Sequence, residues 1–168
     1  QDGDGWGVYG SIFNSENTNI SGEFLINTTT YREQSQSDVA TLDNSYFVVS
    51  WFGNGSGDQA GVYAKLFDSN STVIKDEFLV NTETSQYQRS PVVSSLDDGF
   101  IIAWNSQYQD SYVRQWGVYA QRFNQDGSKN GEEFLVNTTV DSDQYVTDVG
   151  RLSDGGFVIT WQSYGQDG

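Results

Sequence analysis

The side chains of this sequence that could do chemistry are oxygen donors and indoles. It has no histidine and no cysteine, which removes Ser-His and Cys-His nucleophile pairs, imidazole acid-base catalysis and thiolate zinc sites. Carboxylate chemistry, oxygen-ligated cations and ring stacking remain. The acids Asp2, Asp4, Asp58, Asp110 and Asp167 lie in glycine-rich or polar loop sequence, and Ca²⁺ takes six to eight oxygens from loops that glycine lets curl. In "QDGDGW", Asp2 and Asp4 stand at i and i+2, without the third acid or the terminal Glu of an EF-hand. Such a loop is either a calcium site, with Asp2, Asp4, Asp110 and Asp167 as ligands, or a solvated Gly/Asp turn, and solvated turns are the simpler expectation. A carboxylate pair at about 5–10 Å would suffice for glycoside hydrolysis. An active site, however, would break any internal repetition with one unmatched constellation. The unmatched features are "SYVRQW", with Arg114, and "VDSDQ", with Asp141 and Asp143. The expectation is therefore that the chain is not an enzyme.

The indoles offer a second chemistry. Trp51, Trp104 and Trp161 each end an apolar run, with Trp6, Trp116, Gln162 and Tyr164 in the flanking loops. In a lectin these rings would stack on the apolar face of a sugar while loop amides and carboxylates take its hydroxyls. In a purely structural role they pack between neighbouring sheets with each indole N–H bonded locally, which is the expected role here. Five Asn-X-Ser/Thr sequons, at Asn19, Asn27, Asn54, Asn70 and Asn137, are candidate glycan acceptors if the chain is secreted by a eukaryote.

Bulk composition narrows the partners. With 23 acidic and 8 basic residues the net charge is −15, so phosphate backbones and anionic membrane surfaces are repelled and nucleic acid is not an expected partner. No run approaches the roughly 20 apolar residues of a membrane-spanning helix, and no basic-then-apolar leader is present.

These residues recur with a fixed period. "GVYGSIF" at Gly7, "GVYAKLF" at Gly61 and "GVYAQRF" at Gly117 open three units, 7–60, 61–116 and 117–168, each continuing to "EFLINT" or "EFLVNT". Beyond the asparagine of that block (Asn27, Asn81, Asn137) follow a glutamine (Gln34, Gln88, Gln144), a valine (Val39, Val93, Val149) and a leucine (Leu42, Leu96, Leu152). Each unit then closes on "YFVVSW", "GFIIAW" or "GFVITW". Alternation in the opening stretch, Tyr9, Ser11 and Phe13 against Val8, Gly10 and Ile12, has the period of two of a β-strand. Asp-Gly before the last run marks a tight hairpin. The acids 43, 97, 98 and 154 are accordingly expected to form turns. The single proline, Pro91, is placed at the start of a strand. No segment has helical periodicity.

The pattern predicts an all-β chain of three four-stranded antiparallel units, β-propeller-like. Propellers have about four to eight blades, so three units imply a fragment of a longer array or a ring of several chains; a β-trefoil is the alternative. Residues 1–6 supply the second half of an inter-unit loop whose first half follows Trp161, so "QDG" at both ends is expected to be a register mark.

The string "GVYAQRFNQDGSKNGEEFLVNT…LSDGGFVITWQSYGQDG" resembles a repeat found in long tandem copies in very large secreted or surface proteins of bacteria and ciliates. The likeness covers essentially the whole chain and is strongest in the third unit. The first unit departs from it, at "LDNSYF" and at the short loop "WFGNGSGDQA". The resemblance implies an extracellular or cell-surface, non-catalytic array, adhesin-like and sometimes adjacent to calcium-binding repeats. Its expected partners are other copies or repeats of the same protein, and glycans under the alternative of a multivalent lectin.

Overall fold

The computed structural model describes residues 4–43, 45–109 and 115–166. Among these there are twelve strands, all paired antiparallel, and no helix. Strands β1 (Tyr9–Gly10) and β2 (Phe24–Leu25) form a two-stranded sheet. A four-stranded meander follows: β3 (Gln34–Thr41), β4 (Tyr46–Gly55), β5 (Asp58–Asp68) and β6 (Val73–Leu79). A second meander contains β7 (Gln88–Leu96), β8 (Gly99–Gln107), β9 (Trp116–Asn124) and β10 (Phe134–Leu135). The pair β11 (Gln144–Arg151) and β12 (Phe157–Ser163) ends the chain.

The sheets are out of phase with the sequence units. Unit 61–116 gives β5 and β6 to one sheet and β7 and β8 to the next, so each four-stranded sheet joins the end of one unit to the beginning of another. No pairing among the described residues closes a barrel.

Strand periodicity gives each sheet an aromatic face and an aliphatic face. In the second meander Phe100, Trp104, Tyr119 and Phe123 point one way, onto Val48, Val62, Ala64 and Leu66 of the first. The aromatic face of the first meander, with Trp51, Tyr63 and Phe67, receives Val8 and Ile26 from the β1–β2 pair. The aliphatic face of the second, with Ile101, Ala103, Val118 and Ala120, receives Val146 and Val149, with Phe157 and Ile159 packed alongside. The first two joints thus set aromatic rings on an aliphatic face, while the third is mainly aliphatic with Phe157 partly buried; each enclosed large side chain contributes about 1.5–3 kcal/mol through burial. Cross-strand phenylalanines stack within each meander: Phe47 on Phe67 at 5.1 Å and Phe100 on Phe123 at 5.0 Å.

Strands β3, β7 and β11 approach one another along one edge of the stack. Their joints are polar: Val93 N–H donates to Asp38 Oδ2 at 2.7 Å, Ser90 N–H to Gln36 Oε1 at 2.9 Å, and Val146 N–H to Asn105 Oδ1 at 2.6 Å. Each of the three strands carries a register irregularity. Pro91 sits at that of β7, inside the strand rather than at its start; the irregularity leaves this edge position without a ladder partner, so no N–H is needed. At one end of this edge Arg151 bridges Asp97 and Asp43, tying three sheets through their turns. Asp43 and Asp97 are turn residues, as expected. In the first unit, which lacks the Gly-Gly turn, Ser45 adopts the φ of +64° that Gly155 supplies at +87° in the third.

Candidate binding face

The β4–β5 connection, the end of β8 and start of β9, the residues leading into β1, β3, β7 and β11, and the end of β12 lie at one end of their sheets. This is where the lectin alternative places its binding residues, and the structure divides those residues. Trp51 and Trp104 are 0% exposed, within the inter-sheet clusters. No face of either ring is available to a sugar, so both leave the list of ligand-binding residues because packing has consumed them. Neither Nε1 has a protein acceptor in range, contrary to the expectation that each indole N–H is bonded locally. Trp161, at the corresponding place in β12, is 36% exposed. Trp6, Gln162 and Tyr164 are exposed, while Trp116 is half-buried.

Trp116 lies in a small constellation. The Arg89 guanidinium sits 4.0 Å from the centre of the Trp116 ring and 6.0 Å from that of Tyr145, and the two rings are tilted on each other at 6.2 Å. A guanidinium over an indole is a favourable cation–π pair. Asp143 fixes the assembly, accepting from the backbone N–H of Trp116 at 3.1 Å and from the Tyr145 hydroxyl at 3.2 Å. Burial, then the Asp143 charge, pushes the Tyr145 phenol above its ordinary pKa. Asp143, unmatched in the repeat, is therefore occupied as an anchor for two rings. Sequence reasoning missed Arg89 because nothing in the period marks it: the positions after Gln34 and Gln144 are Ser35 and Tyr145.

The repeated asparagine forms a clamp. Asn27, Asn81 and Asn137 accept from the backbone N–H of Val8, Val62 and Val118 at 2.8, 2.8 and 2.7 Å. Each also donates through Nδ2 to the carbonyl two residues on, at 2.7–2.9 Å. All three are buried. Their turn-forming role is as expected, but Asn27 and Asn137 are removed as glycan acceptors, because the amide nitrogen a glycan needs is enclosed and bonded. Asn54 is partly buried and donates to the Gln59 carbonyl, while Asn19 and Asn70 stand exposed.

Of the candidate calcium ligands, Asp2, Asp110 and Asp167 lie outside the described residues, as does Arg114. Asp4 is exposed and accepts from Arg32 N–H at 3.1 Å. Asp58 is buried and satisfied by Asn81 Nδ2 at 2.8 Å and Ala60 N–H at 2.9 Å. Its carbonyl accepts the Tyr63 hydroxyl at 2.6 Å, and burial, reinforced by the Asp58 charge, drives the Tyr63 phenol far upward. Among the described residues no three acids converge as a metal site would require. Beside Asp58 lies an open groove of about 570 Å³, lined by Gly57, Gln59, Thr84 and Tyr87 among others.

Compared with known proteins, the chain matches no family model, no curated sequence and no solved structure.

Proposed function

We propose that the chain is a non-catalytic, extracellular repeat module for adhesion or structural assembly, its sheets arranged as in a β-propeller. The observation that carries this reading is the recurrence of one design: the same asparagine clamp ties the first two strands of each unit together within a sheet, and at three successive joints apolar faces pack a sheet on its neighbour. Convergence of β3, β7 and β11 along one edge supports the propeller arrangement. Residues that vary between units include Arg89 and Tyr145 at the end where Trp116 lies and the connections after Phe67 and Phe123 at the other, as suits a scaffold that presents variable surface on constant packing. The acids near that end serve as hydrogen-bond anchors, which favours a non-catalytic role.

That constellation also supports a second reading, a lectin of weak sites multiplied by repetition. A glycan array, followed by sugar titrations read by tryptophan fluorescence, separates the two. The module reading expects no sugar-dependent change. Quenching that is abolished by Trp116→Ala would overturn it in favour of the lectin. Calcium has its own measurement: added Ca²⁺ that raises Tm, reversed by chelation, would assign a site to the loop acids, because a ligand bound only by the native state must stabilise it.

A further inference from the structure

We propose that the β1–β2 and β11–β12 pairs are the two halves of one four-stranded sheet, completed when a second copy of this chain places its β12 antiparallel beside β1. This rests on the repeat-module reading and adds to it the partner and the register. In both meanders the strand ending in the tryptophan pairs with the strand that opens the next unit: Trp51 faces Tyr63 and Phe47 faces Phe67, and likewise Trp104 faces Tyr119 and Phe100 faces Phe123. The corresponding residues on the terminal pairs are Trp161 with Tyr9 and Phe157 with Phe13. Among the described residues of one chain β12 pairs only with β11, and β1 only with β2.

Exposure marks the missing half. Val93 and Val149 are buried, beneath the joints that contain Val48 and Ile101. Val39, the third of that series, is 59% exposed, and so is Phe13, although Phe67 and Phe123 are enclosed. On the other half Val158, which corresponds to Val48 and Ile101, is also bare. A partner's β12 in the stated register sets Val158 opposite Ile12, as Val48 stands opposite Leu66, and lays it over Val39. A polar contact follows the same series. Glu77 accepts from Thr28 N–H at 2.8 Å and Glu133 from Thr82 N–H at 2.6 Å; between copies, Glu23 would meet Thr138.

The occupant is a second copy rather than the chain's own tail. The two half-sheets stand at opposite ends of the stack, with both meanders between them. Closing one chain would give three sheets, whereas two copies give six, inside the range of about four to eight that closed propellers use. Each copy then contributes one β1 edge and one β12 edge, and no sheet edge of this kind is left unpaired.

The first test is the native molecular mass by light scattering, expected at twice that of one chain. The second uses the absence of native cysteine: Val158→Cys and Ile12→Cys chains, mixed and oxidised, are expected to give a cross-linked heterodimer. Ser11→Cys in place of Ile12→Cys is expected to give none, because adjacent strand residues point to opposite faces. A monomer at all concentrations, or equal cross-linking through Ser11→Cys, overturns the proposal, and a mass growing without limit overturns the two-copy ring. None of these results depends on the sugar titrations, so failure here and failure of the module reading are told apart.

Discussion

Strands β5 and β1 carry corresponding residues, yet β5 runs for eleven residues and β1 for two. In β5 both edges are paired, by β4 and β6, and both faces are covered; β1 has one partner and one covered face. A similar contrast in burial separates β8 in its meander from β12 at the chain's other extreme. A strand's length and burial here follow from what lies on either side of it more than from its own side chains, as expected where strand propensity mainly measures packing against neighbours.

The largest expected effect tests this contrast directly. Trp104→Ala removes a fully enclosed indole and is expected to cost about 3–5 kcal/mol in urea denaturation. Trp161→Ala, at the open sheet, is expected to cost under about 1 kcal/mol at high dilution; equal losses would break the comparison. Next in size is Asn81→Ala, which strips the Val62 N–H and Asp58 of a buried partner and is expected to cost about 1–3 kcal/mol by the same measurement.

Two pH effects are smaller. The Tyr63 phenol is raised well above its ordinary value of about 10, chiefly by burial. Its contribution is therefore complete below that value and lost as pH climbs through the raised one. Alkaline melts are expected to show this loss, and Tyr63→Phe to diminish it. Asp76 has the opposite sign. Bonds from the Thr28 hydroxyl, then from Glu77 N–H and Lys65, hold its carboxyl down at about 2. Its contribution is present above the usual carboxylate range and lost as pH falls toward 2. Because the side chain is largely exposed, Asp76→Asn is expected to cost no more than about 1 kcal/mol at neutral pH.

Much of this architecture was legible before any strand was paired. The period identified the three tryptophans and the buried glutamines as equivalent positions, and alternation from Val8 to Phe13 identified a strand of which only Tyr9–Gly10 is formed in the first unit, although its equivalents β5 and β9 are long. The phase of the sheets was hidden, because a periodic sequence reads the same wherever counting starts; hydrogen bonding alone shows that Gly61 lies mid-strand in β5 rather than at a boundary. Equivalence also concealed the differing exposure of Trp51 and Trp161, since burial depends on the neighbouring sheet. The Arg89, Trp116 and Tyr145 group was invisible because Arg89 and Tyr145 occupy a position that differs in every unit, Ser35 standing there in the first.

The offset between units and sheets has one more effect. Since each four-stranded sheet is sewn from two consecutive units, excising or duplicating one whole unit, cut at any point in the period, leaves the remaining seams matched and both outer edges unchanged. Copy number can therefore drift by whole repeats without any interface having to be reinvented, while a partial repeat would strand an aromatic face in water.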